Sequence, residues 1–259
     1  MPRLRVNGVY YPIRAILFDK DGTLLDFIYT WGRWGERLLA RFSAGLRARG
    51  LPPLPEDLSA LWGTVHAEDG AITDYDRNGP LSMGTIGDLM SILTWHGYRN
   101  GLSWAEAKLL AEACRQDADD SLAQSRAAKA LPHAIEFLTQ CRDSGIALAI
   151  VTADETAQAV QQLEWLGIRG HFSAVVGTDR VDRGKPFPDM VALACRELGV
   201  ASGEAAVIGD TNGDMRMAKS AGAAVAIGIA GPDAAEASKL SEADAVIASY
   251  LALAAEADE

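Results

Sequence analysis

Apolar residues recur along this chain in two rhythms. From about residue 131 onward, short continuous apolar runs alternate with stretches of helical spacing. The pattern predicts a helix ending at Gly145 and a strand over 146–151, then a helix over 155–166 ending at Gly167. A short strand over 174–176, a helix over 188–198 ending at Gly199 and a strand over 205–208 come next. A helix over 214–220 and short strands over 225–227 and 245–247 complete the series. Strands apolar at every position, rather than at every second one, are buried on both faces. Alternated with helices, they predict an α/β parallel sheet covered on both sides. Ligands of such sheets bind beyond the carboxyl ends of the strands.

Residues 27–127 keep a different rhythm. They read as helices and loops with almost no β-branched runs. Apolar positions Trp31, Trp34, Leu38, Leu39, Phe42 and Leu46 mark a helix closing at Gly50 before Pro52 and Pro53. Ser103 and Glu106 form a capping box that opens a long helix through Ala113. Between these helices, residues 68–84 are rich in turn formers. The division expected is a core of residues 1–26 and 128–259 interrupted by a helical insert, 27–127. The Ala/Glu-rich end past Ala254 is expected to fray.

An apolar strand also leads into Asp19-Lys20-Asp21-Gly22-Thr23. In an extended chain, residues i and i+2 share a side, so Asp19 and Asp21 can address one reacting group while Lys20 points away. Two carboxylates this close repel, and a cation or a shared proton is expected between them. Such a pair suits a metal-assisted nucleophile and its acid/base partner. Three more segments end or follow apolar strands: Thr152-Ala153-Asp154, the loop Arg183-Gly184-Lys185-Pro186-Phe187-Pro188-Asp189, and Gly209-Asp210-Thr211-Asn212-Gly213-Asp214.

Composition narrows the partners. With 24 basic and 35 acidic residues the formal charge is −11, which argues against nucleic acid or an anionic membrane. Any phosphate site must therefore build its own local positive potential. The hydrophobic share of 49% is enough for a sizeable core. No apolar stretch is long enough to span a membrane, and residues 1–11 lack the apolar run of a signal peptide. Cys114, Cys141 and Cys195 lie far apart in predicted helices, which reads as reduced core thiols of a cytosolic protein. His66, His96, His133 and His171 show no metal-ligand spacing.

Together and in this order, the four segments resemble the motifs of the haloacid dehalogenase-like hydrolase superfamily. Its phosphatase branch carries D-x-D-G-T, a Thr or Ser, G-K-P-x-P-D and G-D-x-x-x-D. The resemblance implies an α/β, doubly wound Rossmann-like sheet with an inserted α-helical cap domain. It further implies a Mg²⁺-dependent, phosphoglycolate phosphatase-like enzyme acting on a small phosphorylated metabolite. Under that resemblance Asp19 is the nucleophile and Asp21 the acid/base. Thr152 and Lys185 complete the catalytic set, while Asp19, the carbonyl of Asp21, Asp210 and Asp214 hold the metal. Gly22, Thr23 and Ala153 would meet the phosphoryl group, the N–H groups near Gly22 and Ala153 forming an anion nest. Arg33 and Arg77 are candidates for the leaving group. One departure is Ala153, where an Asn or Ser often follows the Thr.

Rival readings are weighed on the same residues. Dehalogenases lack the second aspartate, so Asp21 argues against them. Phosphonatases need a cap lysine, and Lys108 in its helix is a poor one. Phosphohexomutases share all four motifs, and a non-catalytic scaffold would be expected to lose some of them.

Overall fold

A computed structural model describes residues 1–259 apart from 56, 58, 232, 233 and 259. The chain opens with a hairpin, β1 (Arg3–Val6) and β2 (Val9–Pro12), and enters β3 (Ala15–Phe18). Next come α1 (Arg33–Arg47), α2 (Ser59–Trp62), β4 (Thr64–His66), β5 (Ile72–Tyr75), α3 (Pro80–Met83), α4 (Ile86–Arg99) and α5 (Trp104–Ser125). From α6 (Ala134–Asp143) the chain alternates: β6 (Ala147–Val151), α7 (Thr156–Trp165), β7 (Ala174–Val176), α8 (Asp189–Leu198) and β8 (Ala205–Gly209). It closes with α9 (Asn212–Ser220), β9 (Val225–Ile229), α10 (Ala234–Lys239), β10 (Ala245–Ile247) and β11 (Leu253–Glu256).

Two compact units result, Met1–Asp26 with Ala128–Glu259, and Phe27–Ala127. In the first, six parallel strands lie in the order β10-β9-β8-β3-β6-β7. This is a doubly wound α/β fold. Strands β3, β8 and β9 are buried at every position, and alternate side chains feed opposite faces. Ile16 and Phe18 join Leu148, Ile150, Phe137 and Leu163 on one face. Ala15 and Leu17 join Ala149, Ala205, Met190, Cys195 and Met215 on the other. The second face is lined largely by alanine, which lets α8 and α9 approach the sheet closely. On the first face Phe18 meets Phe137 and Phe172 edge-on, at ring separations of 6.3 and 6.2 Å.

The central trio β8-β3-β6 positions the loops. Because the strands run parallel with Phe18 level with Ile150 and Ile208, the residues just after them emerge together at the carboxyl ends of the strands. The amide of Asp19 continues this ladder by donating to the Ile208 carbonyl at 2.8 Å.

In the second unit, α1 buries Trp34, Leu38, Phe42 and Leu46. Trp34 stacks on Trp62 and donates its indole N–H to Asp119 at 2.7 Å. Trp31 and Trp34 are core residues of this unit, as their helical spacing predicts.

Three expectations need correction, and one element was not foreseen. The insert is not purely helical, since β4 and β5 pair antiparallel across a turn at Gly70. Thr64, Val65, Ile72, Thr73 and Tyr75 supply the β-formers, in runs too short to stand out. The helix opened by Ser103 runs to Ser125 rather than Ala113. The N-terminal residues form a hairpin turned at Asn7-Gly8, where both φ angles are positive. Finally, residues past Ala254 do not fray through 256. β11 pairs with β1 to make a three-stranded sheet, burying Leu253 and Ala255.

No helix among the described residues is long and apolar enough to cross a membrane. Cys114, Cys141 and Cys195 are buried and free of disulfides.

Candidate active site

β3 ends at Phe18, and the next five residues make a tight turn. The Lys20 carbonyl accepts from the amides of both Leu24 and Leu25, each at 2.9 Å. Gly22 adopts φ +77°, a conformation that favours glycine, and its N–H donates to the Leu25 carbonyl at 2.8 Å. That N–H is spent inside the turn, so donors to an anion in this segment would be those of residues near Gly22. The Thr23 hydroxyl lies 3.4 Å from Asp19 Oδ2, and the Tyr250 hydroxyl donates to the Thr23 carbonyl at 2.8 Å.

Lys185, in a loop whose Lys185–Pro186 peptide bond is cis, reaches across the sheet edge. Its Nζ lies 2.5 Å from Asp19 Oδ1 and 2.6 Å from Asp214 Oδ1. Asp214 is the third residue of α9 and forms a capping box with Thr211. The Thr211 hydroxyl donates to Asp214 Oδ2 at 2.5 Å. Position at a helix start and membership of an acidic cluster are thus compatible for this carboxylate. Gly209 makes the approach possible: a Cβ there would fall 2.4 Å from both Cβ and Cγ of Asp214.

Asp19, Asp210 and Asp214 are all buried, with one carboxylate oxygen of each lying within 4.8 Å of the others. Burial pushes the Asp19 carboxyl up to about 7; Lys185 opposes this, and Asp214 and Asp21 add to it. Burial works against the Lys185 ammonium, but Asp19 and Asp214 outweigh it and hold it above its usual range. Three carboxylates facing one ammonium leave the cluster short of positive charge. An all-oxygen donor set of this kind fits a hard divalent cation such as Mg²⁺.

Thr152, at the end of β6, is buried; its amide donates to the Val176 carbonyl and its hydroxyl accepts from the Asp154 amide at 3.2 Å. Ala153 is partly exposed, its carbonyl 3.4 Å from the Thr178 hydroxyl.

Lys20 departs from expectation. It does not point away from the chemistry: its side chain is fully buried and its Nζ lies 2.5 Å from Asp21 Oδ2. The same ammonium donates to Gln162 Oε1 and sits 3.4 Å from Asp154 Oδ2. The period-of-two argument fails because the strand has already ended at Phe18. Burial works against the Lys20 charge, yet Asp21 and Asp154 hold its ionisation above the usual lysine range. The sequence reading gave no site role to Lys20, Asp154 or Gly209 and did not single out Gln162 or Tyr250. One signal was available, since Gln162 lies between Ala159 and Leu163 on the buried stripe of α7.

Arg33 and Arg77 belong to the second unit. The Arg33 guanidinium covers the Tyr29 ring at 4.5 Å, and that of Arg77 covers Tyr75 at 4.9 Å.

Comparison with known proteins agrees with this geometry. A family model for haloacid dehalogenase-like hydrolases matches residues 13–222. The phosphoglycolate phosphatase of Chromobacterium violaceum is 30% identical over 236 residues, 86% of this chain and 88% of that protein. That of Escherichia coli O157:H7 is 26% identical, over 81% of this chain and 79% of its own. Among solved structures, CbbY from Rhodobacter sphaeroides in complex with phosphate superposes with a TM-score of 0.61 at 21% identity, covering 92% and 95% of the two chains. A HAD phosphatase from Thermococcus onnurineus gives 0.61 at 23%, with the same coverage. At such identities the structural likeness speaks for the fold alone. The family match over most of the chain, on the loops that converge at Asp19, establishes that this chain belongs to the haloacid dehalogenase-like hydrolases, among their phosphatases.

Proposed function

We propose that this chain is a Mg²⁺-dependent, cytoplasmic phosphatase that hydrolyses a small phosphomonoester resembling phosphoglycolate, through a covalent intermediate on Asp19. The observation that carries this reading is the Asp19 carboxylate, gripped by Lys185 at 2.5 Å and gathered with Asp210 and Asp214. The substrate class rests on the phosphoglycolate phosphatases it is similar to.

In the first half-reaction a carboxylate oxygen of Asp19 bonds to phosphorus as the ester P–O bond breaks. Asp21 gives its proton to the departing alkoxide. In the second half, water attacks the aspartyl-phosphate and passes a proton to Asp21. The bond from phosphorus to Asp19 breaks, and inorganic phosphate leaves. Lys185 offsets charge on Asp19 and on the phosphoryl oxygens. Donors for those oxygens are the Thr152 hydroxyl and backbone N–H groups around Thr23 and Ala153. Asp19, the carbonyl of Asp21, Asp210 and Asp214 would hold Mg²⁺, which when bound supplies Lewis-acid charge neutralisation. Residues 27–127 act as the cap, with Arg33 and Arg77 as its contributions to leaving-group binding.

The test is release of inorganic phosphate from a panel of monoesters with Mg²⁺ and then with chelator, by the wild type and by Asp19→Asn. The reading expects metal-dependent release that Asp19→Asn abolishes. Absence of release from every ester, or full activity in Asp19→Asn, overturns it.

A further inference from the structure

We infer that Lys20 is a positioning residue for proton transfer, fixing the carboxylate of Asp21 so that its second oxygen serves the leaving group; this rests on the phosphatase reading above. The Lys20 ammonium donates to Asp21 Oδ2 at 2.5 Å and to Gln162 Oε1, and it is ion-paired with Asp154 Oδ2 at 3.4 Å. Asp154 is itself tethered, its Oδ1 accepting from the Glu155 amide at 3.1 Å. The Lys20 backbone is fixed by the two amides that its carbonyl accepts. The lysine is therefore held at both ends, and it grips Asp21 by one oxygen. Asp21 Oδ1 is buried and makes no hydrogen bond among the described residues.

A stabilising role does not account for this cluster. Burying an ammonium among carboxylates is commonly matched or bettered by an apolar side chain of similar volume. Here the cluster also leaves Gln162 Nε2 buried without a partner, a cost that an apolar packing would avoid. What the arrangement does supply is a carboxylate with only one rotational outcome. General acid catalysis depends on such placement, because the proton must lie within hydrogen-bond reach of the ester oxygen as its bond to phosphorus breaks. In the first half-reaction the proton on Asp21 Oδ1 moves to the ester oxygen. In the second, the same oxygen takes a proton from the attacking water. Lys20 keeps its own protons throughout.

The distinguishing readout is leaving-group dependence. kcat/KM covers the steps up to phosphoryl transfer onto Asp19, and protonation matters there only when the leaving group is poor. The holoenzyme with Mg²⁺ is assayed on p-nitrophenyl phosphate, whose phenolate needs little protonation, and on phosphoglycolate, whose alkoxide needs it. For Lys20→Met we expect kcat/KM to fall by about 10²-fold or more on the alkyl ester and by less than about tenfold on the aryl ester. Asp21→Asn should show the same selectivity. Retained aryl activity certifies the fold. Should Lys20→Met not fold, Gln162→Leu loosens one anchor and should give a weaker loss with the same bias, about tenfold on the alkyl ester alone. Equal losses on both esters, or none, overturn the positioning role while leaving the phosphatase reading intact. A wild type that releases phosphate from neither ester nor from any other monoester of the panel overturns that reading and this inference with it.

Discussion

The raised Asp19 carboxyl makes a quantitative prediction about metal binding. With Asp19 titrating at about 7 in the metal-free fold, a cation that ligates its carboxylate must displace whatever proton is there. The fraction protonated is about 0.9 at pH 6 and about 0.1 at pH 8, so Mg²⁺ binding should release those numbers of protons. The apparent affinity should fall about tenfold from pH 8 to pH 6, or about 1.4 kcal/mol. An ordinary aspartate would release essentially nothing over this range. Isothermal titration in two buffers of different ionisation enthalpy measures the proton count directly, and Asp19→Asn should erase it. The same shift fixes the direction of a stability effect. A carboxyl whose folded value is raised stabilises the fold at pH below its unfolded value, near 4, and loses that contribution as pH rises through about 7. The chelator-treated protein should therefore melt at a lower temperature at pH 8 than at pH 6, and saturating Mg²⁺ should close the gap. Identical heats in both buffers at pH 6, with an affinity flat in pH, would refute the reasoning.

Two substitutions and a truncation probe the scaffold behind the site. Gly209→Ala places a methyl 2.4 Å from Asp214 Cβ and Cγ, so Asp214 must move; we expect a stability loss of about 1–3 kcal/mol and a much larger fall in kcat, and unchanged kinetics would contradict the close-approach argument. Tyr250→Phe strands the buried Thr23 carbonyl and should cost about 1–3 kcal/mol in urea unfolding, against no change if that contact is incidental. Deleting residues 253–259 removes β11 together with buried Leu253 and Ala255. It should destabilise by about 2–5 kcal/mol, whereas a frayed tail would cost less than about 0.5 kcal/mol.

The parallel sheet was legible because strands buried on both faces leave an unbroken apolar run, and Gly145, Gly167 and Gly199 punctuate the helices between them. The small antiparallel strands were not. β2 is exposed at three of its four positions, and β11 is Leu-Ala-Ala-Glu, which has little intrinsic strand preference. It becomes a strand through pairing with β1, about 250 residues away in sequence, and no local window contains that information. The site divides along the same line. Asp19, Lys185, Asp210 and Asp214 carry recognisable local motifs and do converge. Lys20 could not be read, because its direction depends on where β3 stops and on a glutamine 142 positions later.

Charge explains why these parts belong together. The chain is acidic overall, and its buried site holds three carboxylates against one lysine, a net of about −2 when all are ionised. A phosphomonoester brings further negative charge, so the protein alone would repel its own substrate at close range. Under the proposed function a divalent ion would neutralise the deficit, while Lys185, 2.5 Å from Asp19, opposes the burial that raises that carboxyl. Under the same function Asp21 would gain and lose a proton within one cycle. The structure gives it a separate cation, Lys20, 2.5 Å from Asp21 Oδ2, while Lys185 pairs with Asp19 and Asp214. Each lysine is thus paired with one carboxylate of the motif.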